Sequence, residues 1–273
     1  MKVENLYLEL TRMCTLECEH CLRGDRRNEY MSFETINNVF KDISEIDAML
    51  LTGGEPLLAI EQIKKIIEII KTNNIKVNRI NLGTNGTVFD ENILNVLKEL
   101  SSIGYLDLKV SNDMFHHLEF CRLGLLEKRE DNFEILKEEL GAKNYADYRY
   151  ASKIRREVIY PCGKAANLTD KRLDEINIKG KTNYVINPYY VVTYNLDYDA
   201  TDNKVFGAVN VDVNGNVVPF PNSFDSEDYY AECYESNVNN SSLLNCILNI
   251  ISEKNITHEE NKDVKSLKKA QRN

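Results

Sequence analysis

The chain has 273 residues, a formal net charge of −9, and 42% hydrophobic and 28% charged residues. This length and composition fit one full α/β domain, alone or with a small appendage. The negative charge argues against broad nucleic-acid binding, and no apolar run approaches the ~20 residues of a membrane span. Because the amino terminus has no signal-peptide pattern, we expect a cytoplasmic protein whose seven cysteines are reduced.

The first half of the chain alternates strand patterns with helix patterns. The apolar runs that predict strands lie at residues 5–10, 48–51, 77–82 and 105–110. Between them, apolar residues recur with the 3.6-residue period of helices, and Ser32 and Asp90 are placed to cap two of these helices. This order requires parallel strands joined by right-handed crossovers.

Four unusual segments each follow the carboxyl end of one of these strands. They are the cysteine-rich loop 14–21, the Gly53–Pro56 segment, the Gly83–Gly86 segment and residues 111–117. In α/β barrels this edge of the sheet carries the active site. The sequence therefore predicts one site assembled from all four segments.

Three cysteines, Cys14, Cys18 and Cys21, have the spacing C-x3-C-x2-C. Thiolates converging from a short loop suit a soft metal centre, and three of them leave one iron of a cubane cluster open for another ligand. An alternative is a zinc loop with His20 as fourth ligand, although a histidine next to Cys21 gives poor tetrahedral geometry. A further alternative is three unrelated thiols.

The cysteine spacing, with His20 just before the third cysteine, resembles the radical S-adenosylmethionine enzymes. The resemblance implies one [4Fe–4S] cluster on the three cysteines and S-adenosylmethionine bound to the free iron. It also implies an external one-electron donor, such as a flavodoxin or ferredoxin, and cleavage to a 5′-deoxyadenosyl radical that abstracts hydrogen from a substrate. The implied fold is a partial (β/α)6 TIM-like barrel.

The Gly53–Pro56 segment resembles the part of these enzymes that binds the methionyl amino group. Gly53 and Gly54 permit a close backbone approach to a ligand, and Pro56 fixes the turn after Glu55. The carbonyl groups of this turn are then expected to accept hydrogen bonds from an ammonium group. The alternative is an ordinary strand-to-helix turn, for which glycine and proline are also expected.

Five further residues are implied as cofactor contacts by the same resemblance. Thr84 and Asn85 are expected beside the cofactor, Ser111 and Asp113 at its ribose or carboxylate, and His20 against the adenine. An Asn-Gly turn and a helix cap are the alternatives for the two pairs.

The middle of the chain has weaker patterns. A helix is predicted at 131–140 and a short strand at 148–150. His116 or His117 could donate a proton or contact substrate, or simply pack at a helix start. Residues 161–166 resemble the Gly-Arg-Ala segment that ends the barrel in many relatives, with Lys164 in place of arginine.

From about residue 167 the alternation stops. Strands are predicted at 187–195 and 205–213, followed by a turn at Asn214-Gly215 and a return strand at 216–220. Ser241 or Ser242 is placed to cap a final helix. We therefore expect a small α+β carboxyl-terminal cap.

This order is similar to the SPASM or twitch subdomains of radical S-adenosylmethionine enzymes. It divides the chain into a barrel domain at 1–166 and a SPASM/twitch-like subdomain at 167–273. Phe220 stands where a cysteine usually binds an auxiliary cluster, so the resemblance implies that this cluster is lost. The four remaining cysteines lack cluster spacing, and small buried hydrophobic side chains are the other interpretation: Cys121, Cys162, Cys233 and Cys246.

Three hypotheses for function remain. Relatives with such subdomains often modify a peptide or protein side chain, although the chain starts at the first strand and we expect no leader-binding domain. A small-molecule or sugar epimerase or dehydrogenase is the second. The third is a non-catalytic iron–sulfur or zinc scaffold, which the intact Gly53–Pro56 segment disfavours.

Overall fold

The computed structural model describes residues 1–145, 155–159, 163–179, 182–186, 196–218 and 236–253. Several sequence predictions lie outside these ranges. They concern the strands at 148–150 and 187–195, residue Phe220, and the cysteines Cys162 and Cys233.

The first part of the chain forms the predicted alternation of strands and helices. Its strands are β1 (Lys2–Glu9), β2 (Glu45–Thr52), β3 (Lys76–Thr84), β4 (Tyr105–Ser111) and β5 (Lys143–Tyr145). Its helices are α1 (Phe33–Phe40), α2 (Ile60–Thr72), α3 (Glu91–Ser101), α4 (Met114–Leu123) and α5 (Leu126–Leu140), with a 3₁₀ turn at Pro56–Ala59 before α2.

The predicted helix caps at Ser32 and Asp90 are confirmed, and of the two candidates for the final helix Ser242 accepts a hydrogen bond from Asn245 N at 3.2 Å. The side chain of Ser32 accepts a hydrogen bond from Thr35 N, and the side chain of Asp90 accepts one from Ile93 N. Each bond satisfies an amide that the first helical turn leaves without a partner. Helix α5 begins at Leu126, earlier than the predicted start at residue 131, because the amide of Arg129 already bonds to the Leu125 carbonyl.

The later elements complete the sheet and add a second, smaller one. They are β6 (Arg155–Ile159), α6 (Asp170–Lys179), β7 (Thr182–Ile186), β8 (Leu196–Asp199), β9 (Lys204–Val211), β10 (Val217–Val218) and a helix α7 at 243–253. The predicted turn at Asn214-Gly215 is confirmed, since β9 and β10 pair antiparallel across it and Gly215 has a φ of +87°.

The main sheet has the order β10-β9-β1-β2-β3-β4-β5, with β8 pairing to β9. Strands β1 to β5 are parallel neighbours, and β9 also runs parallel to β1, on its other edge. Strands β6 and β7 form a separate parallel pair. These pairings confirm the α/β class with a parallel, partly closed sheet and antiparallel strands near the carboxyl terminus.

One apolar core joins the two ends of the chain. It contains inward residues of β1 to β4 and α1 to α3, together with residues of β9 and α7. Cys246 belongs to this core at 1% exposure, whereas Cys121 lies at the surface of α4. Within the described ranges, no helix is both long and apolar enough to cross a bilayer.

Candidate cofactor site at the carboxyl edge of the sheet

The cysteine loop leaves the end of β1 and is closed at its base by backbone hydrogen bonds. Arg12 N donates to Glu29 O at 3.0 Å, and Met31 N donates to Leu10 O at 2.9 Å. These bonds bring the chain back beside itself, so the residues between them project over the carboxyl edge of the sheet. The loop is therefore anchored at both ends.

All three loop cysteines are free thiols that line one cavity of about 360 Å³. We call this space the cofactor cavity. Burial and the nearby Glu55 carboxylate raise the pKa of Cys14 to about 11. Burial, followed by the charge of Asp113, also raises the pKa of Cys18. Because these surroundings disfavour negative charge, a bound metal is what would stabilise the thiolates here.

The Gly53–Pro56 segment packs directly against the start of the cysteine loop. Gly54 N donates to Thr11 O at 2.7 Å, and Glu55 N donates to Met13 O at 2.8 Å. A Cβ on Gly53 would lie 2.4 Å from Thr11 O, and one on Gly54 would lie 2.3 Å from Met13 O. Gly53 also has a φ of +153°. Both positions therefore require glycine, and both line the cofactor cavity.

The Glu55 side chain points into the protein rather than into the cavity. It is fully buried, and its oxygens accept hydrogen bonds from Thr84 Oγ1 and Asn85 N, each at 2.7 Å, and from Leu57 N at 3.1 Å. Burial raises the pKa of Glu55, while these donors favour the ionised form. Glu55 thus ties its own segment to the end of β3. Pro56 is buried beside it.

Arg23, which the sequence analysis did not single out, links the cysteine loop to β1 and β2. Its Nε donates to Gly53 O at 2.7 Å, Nη1 to Glu9 Oε1 at 3.0 Å, and Nη2 to Thr52 Oγ1 at 3.0 Å. Glu9 is fully buried and also lies 3.5 Å from Arg12 Nε. The Gly53 carbonyl, expected to face an ammonium group, therefore already accepts one bond and keeps a second lone pair.

A ring cluster closes the side of the cavity next to β4. The His20 ring stacks on Phe115 with centroids 4.5 Å apart, and His116 meets His20 edge-on at 5.1 Å. Asp113 caps α4 by accepting from His116 N, and its other oxygen lies 2.5 Å from His116 Nδ1. His20 Nδ1 is buried and has no hydrogen-bond partner within the described residues.

The pKa values of the two histidines in this cluster are shifted in opposite directions. Burial lowers the pKa of His20 to about 4, so that ring is neutral at pH 7. Burial opposes charge on His116 as well, but the adjacent Asp113 carboxylate outweighs it and raises the His116 pKa. Burial alone would raise the pKa of Asp113. The charge and hydrogen bonds of His116 outweigh burial, so the Asp113 pKa lies below its usual range. The Asp113 carboxylate therefore favours the protonated form of His116.

The ends of β3 and β4 supply the remaining wall. Asn85 Nδ2 donates to Thr15 Oγ1 at 2.9 Å and lies 3.7 Å from Cys14 Sγ, so this side chain touches the cysteine loop itself. The Ser111 carbonyl accepts from Arg129 Nη2 at 3.1 Å. Arg129 is a fully buried cation that also packs over Phe133, with its guanidinium 5.0 Å from the ring centre.

A second cavity of about 520 Å³ continues from the first into the barrel. We call it the inner cavity. Gly53, Gly54, Gly83 and Ser111 line both spaces, together with Leu50. The side chains that line only the inner cavity include Tyr7, Asn81 and Lys109. The two cavities are therefore adjacent and share half of the residues that line the inner one.

Most of the predicted site residues meet at the cofactor cavity. Those that line it are Cys14, Cys18, Cys21, His20, Gly53, Gly54, Thr84, Asn85 and Ser111. Glu55, Pro56 and Asp113 lie behind this wall and contact residues that form it. Among the residues that the sequence analysis missed, Arg23 has a detectable signal, a basic residue two positions after the third cysteine.

Three converging thiols, a glycine-lined cradle and a parallel barrel edge define a metal-dependent, cofactor-binding α/β enzyme. Residues 8–144, about half of the chain, match the family model described as the Radical SAM superfamily. The chain belongs to this family, whose enzymes use a [4Fe–4S] cluster and S-adenosylmethionine.

Curated relatives match part of the chain. An uncharacterized protein of Methanocaldococcus jannaschii is 32% identical over 102 residues, which are 36% of each chain. A probable GTP 3′,8-cyclase of Pyrococcus abyssi is 27% identical over 190 residues, which are 67% of this chain and 55% of that protein. The matched regions thus span about a third to about half of these relatives.

Two solved structures share the fold over most of the chain. The structure of anSMEcpe with bound AdoMet and the Cp18Cys peptide has a TM-score of 0.52 at 17% identity, covering 90% of this chain and 80% of that one. Streptococcus suis SuiB bound to the precursor peptide SuiA has a TM-score of 0.51 at 16% identity, covering 88% and 63%. At these identities the likeness concerns the fold alone.

Proposed function

We propose that Cys14, Cys18 and Cys21 hold the [4Fe–4S] cluster of this radical S-adenosylmethionine enzyme. The observation that carries the assignment is the cofactor cavity, where the three thiols lie opposite a cradle that excludes every side chain at Gly53 and Gly54. The donors fit a cluster because thiolate is its usual protein ligand and three leave one iron open. A zinc ion would want a fourth ligand, and His20, directly before Cys21 in sequence, gives poor tetrahedral geometry with the three thiols.

The same cavity has the groups that S-adenosylmethionine needs. We infer that the Gly53 and Gly54 backbone receives the methionyl amino group, while Thr84, Asn85 and Ser111 contact the rest of the cofactor. Glu55 and Pro56 shape this backbone from behind. When bound, the cluster and cofactor together supply a 5′-deoxyadenosyl radical that abstracts hydrogen from substrate, after reduction by an external donor such as a flavodoxin or ferredoxin.

The ring cluster would bound the adenine side of the cavity. His20 offers a neutral ring held flat on Phe115, and its buried Nδ1 has no hydrogen-bond partner among the described residues. Asp113 orients His116, which lines the cavity. Asp113 therefore acts on the cofactor through His116. The ring cluster of His20, Phe115 and His116 keeps water from this side of the site.

We propose a peptide or protein side chain as the substrate. Supporting this, two peptide-bound enzymes share the fold over 88% or more of the chain. The second candidate, a small molecule, is favoured by the similarity to a probable GTP 3′,8-cyclase over 67% of the chain. The region beyond residue 167 is proposed as a SPASM/twitch-like subdomain that carries no auxiliary cluster.

The experiment that tests the class is anaerobic reconstitution with iron and sulfide, followed by dithionite reduction with S-adenosylmethionine. We expect about four irons per chain, the content of one cubane cluster, and formation of 5′-deoxyadenosine. Bound zinc without cleavage would overturn the assignment. Iron well above this content would point to an auxiliary cluster built with the later cysteines.

A further inference from the structure

The inner cavity is separate enough from the cofactor cavity to hold a second ligand. The two spaces meet at Gly53, Gly54, Gly83 and Ser111, and the cysteines line only the outer one. The inner space, about 520 Å³, is large enough for a small organic molecule or a few side-chain-sized groups. Tyr7, Asn81 and Lys109 line only the inner space, so these are the side chains that a second ligand would contact.

We propose that the inner cavity binds a substrate carrying a carboxylate, and that Lys109 recognises this anionic group. The proposal rests on the proposed function, since it assigns the substrate class of the same enzyme. Lys109 is the specificity-determining residue in this assignment.

The lining of the inner cavity has a positive charge at Lys109. Lys109 is the one charged side chain among its described lining residues, in a protein of net charge −9. Its ammonium lies 3.2 Å from Asp107 Oδ2, but Lys143 lies 3.2 Å from the other oxygen of the same carboxylate. One negative charge is thus shared between two positive charges. The group keeps a net positive charge that an anionic ligand would balance.

The strand register leaves space for such a ligand beside Lys109. Lys109 lies opposite Gly83 on the neighbouring strand β3. A Cβ placed on Gly83 would meet no atom within 4 Å, so the space next to the Lys109 position is open. Any larger residue at 83 would project into it. The glycine therefore leaves room for a ligand to reach the lysine from the cofactor side.

Neutral hydrogen-bonding groups complete the cavity. Asn81 lies two residues before Gly83, on the same face of β3, and its side-chain amide offers both a donor and an acceptor. Burial and the nearby Glu4 raise the pKa of Tyr7, which remains a neutral phenol and a donor. One cation with neutral donors suits a carboxylate, either on an acidic residue of a peptide or on a free organic acid.

Anaerobic calorimetry tests this proposal. Small compounds are titrated into the reconstituted holoenzyme in the presence of S-adenosylmethionine. Glutarate, glutaramide and cadaverine have equal chain length and carry negative, zero and positive charge. We expect glutarate to bind with a Kd on the order of 1 mM and the other two at least about tenfold more weakly. Equal binding of glutarate and glutaramide, or no binding of glutarate, overturns the proposal.

Matched variants locate the binding. Lys109→Met should weaken glutarate binding by about tenfold or more, and Lys109→Arg should retain it. Lys143→Met should weaken binding less than Lys109→Met does, because Lys143 shares Asp107 but lies outside the cavity lining. The control is Lys137→Met, at an exposed pair with Glu134, which should change binding by less than about twofold. Equal losses in the Lys109→Met and Lys143→Met variants, or none in either, would contradict the assignment.

Two further measurements distinguish a peptide carboxylate from a free acid, and the substrate class from the proposed function. Tighter binding of N-acetylglutamate N-methylamide than of glutarate indicates an acidic peptide residue, and the reverse indicates a free acid; either order supports the carboxylate. Formation of 5′-deoxyadenosine in the same preparation without added substrate tests the proposed function. If S-adenosylmethionine is cleaved but glutarate binds no better than glutaramide, only the substrate class is overturned. If S-adenosylmethionine is not cleaved, the proposed function itself is overturned.

Discussion

Replacing Arg23 by glutamine tests whether this residue joins the cysteine loop to the Gly53–Pro56 segment. The change removes three hydrogen bonds, to Gly53 O, Glu9 and Thr52, and leaves the buried Glu9 carboxylate without its shortest ion pair. Removing one partner of a buried pair costs about 3–5 kcal/mol. Because Arg12 still lies 3.5 Å from Glu9, we expect the lower end, about 3 kcal/mol in the free energy of unfolding.

The assay is urea unfolding of the reconstituted protein under anaerobic conditions, with KM for S-adenosylmethionine measured beside it. Displacement of the Gly53 carbonyl should raise KM more than it lowers kcat. The matched control is Arg26→Gln in the same loop, where the side chain is 48% exposed and pairs with Glu17 at 3.0 Å. That surface pair should contribute less than about 1 kcal/mol. Equal stability of the two variants would refute this role for Arg23.

Three other substitutions give separable outcomes. Cys18→Ala should abolish iron incorporation and S-adenosylmethionine cleavage with the far-ultraviolet circular dichroism unchanged, and full activity would contradict the cluster assignment. Gly53→Ala puts a Cβ 2.4 Å from the Thr11 carbonyl oxygen and should lower the free energy of unfolding by more than about 3 kcal/mol in a urea titration. The control is Gly124→Ala, which lies in open space at φ +66° and should cost about 1 kcal/mol. Arg129→Met should cost about 2–3 kcal/mol by thermal or urea unfolding, because the Ser111 carbonyl and the Asn144 side-chain oxygen lose their donor. Arg122→Met at the surface should leave stability unchanged, and similar effects of the two would argue against a structural role for the buried cation.

Local patterns were sufficient to predict the first four strands and their helices. Strand β2 and helix α2 carry their signals in consecutive residues, as an apolar run and as isoleucines at helical spacing. The convergence of the four segments also followed from sequence, because the carboxyl ends of parallel strands share one edge. The position of Cys246 on an apolar helix face agrees with its burial in the core.

Other features depend on contacts that sequence order does not encode. The strand predicted at 205–213 was expected in a separate cap, yet β9 pairs with β1, a partner about 200 positions earlier. Helix α4 has little apolar periodicity, and its start depends on the Asp113 cap. The position of Arg23, two residues after Cys21, can be noted in the sequence, but its buried partner Glu9 is known only from the fold.

The pairing of β9 with β1 has a consequence for how the chain folds. The first strand is completed on one edge only after residues 204–211 exist, so synthesis must proceed through most of the chain before this part of the sheet can close. Contacts so distant in sequence slow folding and leave an unpaired strand edge exposed meanwhile. A chain of residues 1–144, which ends where the match to the family model ends, therefore has β2 beside β1 but lacks β9 on the other edge. A nascent chain of that length would be prone to self-association through this open edge.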